Sequence, residues 1–205
     1  MYRKFGKRFF DIVLSTIGLL LVAIIFIPTA IAIYLEDRGP IFYNASRLGK
    51  NGKVFKMYKF RSMKVNAPDL RKADGSTYNG EDDPRLTKVG KFIRKTSIDE
   101  MPQLINVIKG DMSLIGPRPD LPEAIRKYSD KERRKLEVLP GITGYSQAYF
   151  RNSIIQSEKF SNDVYYVDNI SLFFDIRIIF KTVIQVIKKE GIYINNSENE
   201  MEIMK

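Results

Sequence analysis

The chain has 205 residues, 44% of them hydrophobic and 28% charged, and a formal net charge of +10. It contains no cysteine and no histidine, which excludes disulfides, thiolate chemistry, His-ligated metals and a Ser-His-Asp triad. Any catalysis must rest on carboxylates, Lys, Arg, Tyr, hydroxyls or an oxygen-ligated metal such as Mg²⁺ or Mn²⁺, and the cationic surplus favours nucleic acid, an anionic membrane or a phosphorylated substrate as partner.

Residues 12–35 carry no charge. As a helix this stretch is about 36 Å long, enough to cross a hydrocarbon core of roughly 30 Å. It is too long for a signal peptide, and no small-residue cleavage site precedes Glu36-Asp37-Arg38. Both flanks are basic: Arg3, Lys4, Lys7 and Arg8 before it, and Arg47, Lys50, Lys53, Lys56, Lys59 and Arg61 after it. Basic flanks tend to stay in the cytoplasm, so two of them disfavour a plain crossing. Pro28 lies inside the run and kinks a helix there. A broken helix that enters and leaves by the same leaflet reconciles these features.

Gly39-Pro40 then marks a turn, Ile41-Phe42-Tyr43 a short strand and Gly49-Lys50-Asn51-Gly52 a hairpin turn. Residues 54–61 alternate aromatic and basic side chains as a strand does. Residues 64–86 are polar, with Pro68, Gly75, Gly80 and Pro84, and read as a loop. A short basic helix or turn is expected over 89–95, and a helix over 97–109 that stops at Gly110. Gly116-Pro117-Arg118-Pro119 is a rigid turn. Residues 121–139 read as a charged helix, 140–144 as a turn, 158–167 as a helix and 172–187 as an amphipathic helix. The apolar stripe of that last helix (Phe173, Ile176, Phe180, Val183, Ile184, Ile187) suits either core packing or a membrane interface. The tail from Asn195 is polar and acidic.

The chemistry concentrates in Arg94-Lys95-Thr96-Ser97-Ile98-Asp99-Glu100-Met101-Pro102-Gln103-Leu104. Adjacent acids at a helix start have an ordinary role in complementing the dipole, and Ser97 with Glu100 matches a capping box. Pro102 disfavours Ser97 as the cap, because it falls in the second turn, where its missing N–H matters. With Asp99 as cap, the dipole holds that carboxylate ionised, ready to act as a nucleophile or metal ligand. Pro117 and Pro119 fix the backbone around Arg118, a guanidinium suited to bidentate phosphate binding. Lys56, Lys59 and Arg61 are a candidate diphosphate clamp, or a face drawn to anionic lipid.

These residues resemble the bacterial sugar transferases, the small monotopic phosphoglycosyl transferases. The likeness runs through Phe10-Asp11, Gly39-Pro40-Ile41-Phe42, Phe55-Lys56-Met57-Tyr58-Lys59-Phe60-Arg61-Ser62-Met63 and Asp83-Pro84-Arg85-Leu86-Thr87. It continues through the Ser97–Leu104 stretch, Asn106-Val107, Gly110-Asp111-Met112-Ser113-Leu114-Ile115-Gly116-Pro117-Arg118-Pro119, Pro140-Gly141-Ile142-Thr143-Gly144 and Asp163-Val164-Tyr165-Tyr166-Val167. It implies a mostly helical α/β fold with a small hairpin or sheet. Residues 1–38 would be a re-entrant membrane helix-break-helix, 39–190 a cytoplasmic catalytic domain with interfacial amphipathic helices, and 191–205 a polar tail. It also implies an enzyme of the bacterial inner membrane that moves a phosphosugar from a UDP-sugar to undecaprenyl phosphate, releasing UMP, at the first membrane step of capsule, exopolysaccharide, O-antigen or glycoprotein synthesis.

By the same resemblance Asp99 is the nucleophile and Glu100 its partner carboxylate, both beside Mg²⁺. Lys59, Arg61, Arg94, Pro117, Arg118, Pro119 and Arg151 contact substrate. The implied partners are the UDP-sugar, undecaprenyl phosphate and anionic membrane lipids, with a homo-oligomer allowed and no nucleic acid. Two positions depart from the family pattern. Ala23-Ile24 stands where Ser-Pro is common, with Pro28 one turn later, and Phe150 stands where Gly commonly precedes the Arg-Asn pair. The rival reading is a non-enzymatic basic adaptor on the membrane surface, for which Asp99 would be dispensable.

Overall fold

A computed structural model describes residues 2–70, 78, 80, 82–151 and 154–188. The chain is mostly helical with two small sheets. Its longest element is α1 (Lys7–Asp37), preceded by a π-helical turn at Tyr2–Gly6. By length and composition α1 is apolar enough to cross a membrane. Its middle is bare: Leu20, Leu21, Ile24 and Ile27 are each more than 60% exposed, while Asp11, Ser15, Thr29 and Ile33 face inward. The helix is continuous through Pro28. A proline there leaves the Ile24 carbonyl without its i→i−4 donor, and Thr29 Oγ1 donates to the next carbonyl, Ile25 O, at 2.7 Å. The break expected within residues 1–38 does not appear, and α1 runs unbroken from Lys7 to Asp37.

Both ends of α1 are fastened to the rest of the chain. At its start Arg8 donates to Val107 O and Ile108 O (2.6 and 2.9 Å), Asp11 accepts from Leu114 N (2.9 Å), and Lys7 pairs with Asp175 (2.7 Å). At its end the Glu36 carboxylate accepts from Lys88 N and Val89 N (2.6 and 3.0 Å), satisfying the first N–H groups of α2 (Lys88–Lys95).

The predicted hairpin forms, with β1 (Ala45–Leu48) antiparallel to β2 (Val54–Met57) and Leu48 opposite Val54. Asn51 and Gly52, with φ of 56° and 75°, make the reversal. The strand expected at Ile41-Phe42-Tyr43 is reduced to a bridge, Phe42 opposite Phe60. The helix expected over 97–109 begins late. A 3-10 turn (Ile98–Glu100) comes first and α3 spans Gln103–Lys109, because Ser97 takes a left-handed φ of 57° and Pro102 lacks the N–H a longer helix needs.

The helix expected over 121–139 is instead a 3-10 turn (Pro122–Arg126), a short α4 (Asp130–Arg133) and a second 3-10 turn (Arg134–Glu137). Ser129 interrupts it by forming a capping box with Glu132. The expected turn at 140–144 holds β4 (Gly141–Thr143), parallel to β3 (Ser113–Ile115). Then come α5 (Tyr145–Tyr149), α6 (Gln156–Asp168) and α7 (Leu172–Lys188). α7 buries Asp175 and Ile178 and leaves Phe173, Ile176, Phe180, Val183 and Ile187 exposed, so its apolar stripe is not core. The polar tail and part of the 64–86 loop lie outside the described residues.

Candidate active site

Asp99 sits in the 3-10 turn between α2 and α3 and is 2% exposed. Two neighbours fix it. Its carbonyl accepts from Phe60 N at 3.0 Å, and Phe60 is buried in an aromatic stack with Phe42 and with Phe26 of α1 (centroids 5.5 and 4.7 Å). On the other side Ile98 packs into the cluster of Phe60, Ile93 and Ile33. The candidate nucleophile therefore rests on the inward face of the apolar helix.

Lys59, the residue before Phe60, places its ammonium 2.8 Å from Asp99 Oδ2 and 3.4 Å from Glu100 Oε1. Arg118 reaches Glu100 Oε1 at 3.7 Å from an exposed loop position. Arg94 donates from Nε to Ser62 Oγ at 2.9 Å, and its charge acts on both carboxylates. Burial pushes the Asp99 carboxyl above the ordinary aspartate range and Glu100 adds to this, with Lys59 and Arg94 only partly countering. Burial would also raise Glu100, but Lys59 and Arg118 outweigh it and hold that group below its ordinary range. The expectation that Asp99 caps α3 and is held ionised by its dipole is corrected: no side chain caps α3, and the charge that faces Asp99 is Lys59.

The predicted residues divide. Lys59, Asp99, Glu100 and Arg118 converge through ion pairs, with Arg94 within electrostatic reach. Pro117 flanks Arg118, its carbonyl accepting from Gly141 N at 2.9 Å, and Pro119 follows. Arg61 does not join the Lys59 cluster through any of its hydrogen bonds: its buried guanidinium engages both Asp37 oxygens, Pro40 O and Met63 O. Arg151 lies just beyond α5 with a φ of 48°, its N–H donating to Ser146 O at 3.0 Å, and its neighbour Asn152 is outside the described residues.

Sequence reasoning gave no role to three supporting residues. Fully buried Asn106 accepts from Tyr58 N and donates to Lys56 O, both at 2.8 Å, tying the end of β2 and the segment leading to Lys59 to α3. Gly90 lets α2 close on Ser62, since a Cβ there would lie 1.8 Å from Ser62 O. Lys135 is buried between the Asp120 and Asp163 carboxylates, 2.6 Å from each. A buried Asn inside a helix and a Gly one turn before Arg94 were the available signals.

Asp99 and Glu100 are the two carboxylates that could hold Mg²⁺ together with substrate phosphates; in this structure both pair with the Lys59 ammonium. Among the described residues no group of three or more carboxylates assembles to hold a metal, at this site or at any other.

Comparison with known proteins identifies the family. Residues 2–189 match the family model described as bacterial sugar transferase. The chain is 44% identical over 199 residues to the galactosyl transferase CpsE of Streptococcus agalactiae, covering 91% of this chain and 43% of that protein. It is 44% identical over 190 residues to the uncharacterized sugar transferase EpsL of Bacillus subtilis (93% and 91%). With the undecaprenyl-phosphate galactose phosphotransferase of Salmonella typhimurium it shares 41% over 206 residues (93% and 42%). It thus spans less than half of two of these relatives and nearly all of the third. The chain belongs to the bacterial sugar transferase family.

Proposed function

We propose that this protein is a phosphoglycosyl transferase that moves a phosphosugar from a UDP-sugar to undecaprenyl phosphate. The observation that carries this reading is a buried carboxylate, Asp99, ringed by Lys59, Arg94 and, through Glu100, Arg118. Phosphoryl transfer needs positioning and charge neutralisation more than a tuned base, so a site without histidine suits it. The relative named for transfer to undecaprenyl phosphate supports the acceptor.

An Asp99 oxygen attacks the β-phosphorus of the UDP-sugar. The bond from that phosphorus to the bridging oxygen breaks, UMP departs and the phosphosugar stays on Asp99 as an acyl phosphate. An oxygen of the lipid phosphate then attacks the same phosphorus, freeing Asp99 and giving the polyprenyl diphosphate sugar. Lys59 faces the diphosphate as the donor enters, and Arg118 binds its outer oxygens. Glu100, held ionised, assists the metal or takes the proton of the lipid phosphate as it attacks. Mg²⁺ held by Asp99 and Glu100 would neutralise the diphosphate.

The topology is read with α1 entering and leaving one leaflet. Both of its ends are bonded to one domain, whereas a crossing would part them by roughly 30 Å of hydrocarbon. The bare apolar stripe of α7 supports a second contact lying in the interface. Cytoplasmic placement of the domain follows from the basic flanks. A membrane adaptor leaves buried Asp99, its partly exposed neighbour Glu100 and their cationic ring unexplained.

The test is UMP release from a panel of UDP-sugars by detergent-solubilised protein with Mg²⁺ and undecaprenyl phosphate. Release with at least one donor is expected. Folded protein that releases no UMP from any of them would overturn the reading.

A further inference from the structure

Away from the carboxylate pair, one ammonium is enclosed in the protein. Lys135, in the second 3-10 turn (Arg134–Glu137), is 4% exposed. Its Nζ lies 2.6 Å from both Asp120 Oδ2 and Asp163 Oδ2, with the Phe160 and Tyr128 rings 5.0 and 5.7 Å away. Tyr128 donates to the same Asp120 oxygen at 2.6 Å. Taking an ammonium and two carboxylates out of water costs several kcal/mol per ion, and well-packed apolar side chains would serve stability as well. The arrangement therefore calls for a use beyond stability.

Its location supplies one. Asp120 is two residues beyond Arg118. On the near side the loop is pinned by backbone bonds, Gly116 N to Thr143 O and Gly141 N to Pro117 O, both 2.9 Å. On the far side it is pinned by Asp120, whose carbonyl accepts from Leu48 N at 2.8 Å and whose carboxylate is held by Lys135 and Tyr128. Arg118 stands between these anchors with a proline on each side, so its backbone has little freedom of its own. Pro117, Arg118, Asp120 and Lys135 also line one small cavity of about 10 Å³, so the ammonium and the loop share a wall.

We infer that Lys135 is a positioning residue for the transfer reaction: acting through Asp120, it holds the 117–119 loop so that Arg118 faces Glu100. The inference rests on the function proposed above. Asp163 is the scaffold arm of the same network, joining Lys135 to α6, and Asp120 is the arm that reaches the site.

A double-mutant cycle on UMP release tests this, at a temperature where every variant is folded by circular dichroism. Lys135→Met should slow release about tenfold or more in the parent, the scale expected of a group displaced by an ångström or less. In an Arg118→Ala background it should cost little further, because the residue it positions is gone. Asp120→Ala should behave like Lys135→Met, and Asp163→Asn should lower the melting temperature with a smaller loss of rate. Amide exchange in a peptide spanning 114–121 should rise in Lys135→Met and Asp120→Ala, a readout that does not need activity. Should Lys135→Met not fold, Asp120→Ala carries the same cycle. Equal losses in both Arg118 backgrounds, or unchanged exchange over 114–121, would overturn the inference. A parent protein inactive with every donor would instead overturn the proposed function.

Discussion

Lys59 Nζ lies 2.8 Å from Asp99 Oδ2, and the two residues are also joined through the chain, because the N–H of the next residue, Phe60, donates to the Asp99 carbonyl. The segment after β2 and the 3-10 turn thus hold the ammonium and carboxylate in fixed register, and Asn106 fastens that segment to the helix behind them.

Removing the ammonium should therefore act on rate and pH dependence together. Burial raises the Asp99 carboxyl and Lys59 lowers it, so Lys59→Met leaves burial less opposed and moves the Asp99 pKa further up. Ionised Asp99 is then lost at a higher pH as the solution is acidified. The acid limb of UMP release should shift to higher pH in Lys59→Met, with a loss of about 100-fold or more on the plateau. An unshifted limb would count against Lys59 as the group that keeps Asp99 ionised.

Arg61 should behave as a fold residue. Asp37→Ala strands a buried guanidinium, and breaking such a pair costs about 3–5 kcal/mol. Thermal melts in detergent should show a large drop in midpoint, while UDP affinity per folded molecule stays near the parent value. A selective loss of UDP affinity with an unchanged midpoint would return Arg61 to the phosphate clamp.

Gly90→Ala should disturb the site from behind. A methyl group 1.8 Å from Ser62 O forces α2 away, and with it Arg94, which bonds the Ser62 hydroxyl. Overpacking of this kind costs about 1–3 kcal/mol. UMP release should fall by more than the folded fraction does, and equal falls would confine Gly90 to stability.

The absence of cysteine makes topology directly measurable. Lys4→Cys and Asn44→Cys place thiols at exposed positions on either side of α1. A re-entrant helix predicts that an impermeant maleimide labels both from the same side of sealed vesicles. Labelling from opposite sides would establish a crossing.

Much of this was legible in sequence because it is local. The hairpin followed from Gly49-Lys50-Asn51-Gly52, α7 from its apolar period, and Arg118 from two flanking prolines. What was not legible depends on partners far along the chain. β3 and β4 are three residues each and pair across more than 20 intervening residues, so neither has a pattern of its own. The alternation over 54–61 could not say that Lys59 faces Asp99 while Arg61 turns to Asp37. Residues 121–139 have helical composition, yet Ser129 and the burial of Lys135 break the helix into turns. Asp99 and Glu100 were found through their neighbours in sequence, but the control of their charge by Lys59 emerged only in three dimensions.

Intact-mass spectrometry of the solubilised protein, incubated with a competent UDP-sugar and Mg²⁺ but no lipid phosphate, tests covalent transfer through Asp99 most directly. One phosphosugar per chain should appear on Asp99 with one equivalent of UMP, disappear on adding undecaprenyl phosphate, and fail to form in Asp99→Asn. Turnover by folded Asp99→Asn at the parent rate, or an adduct that persists in that variant, would contradict it.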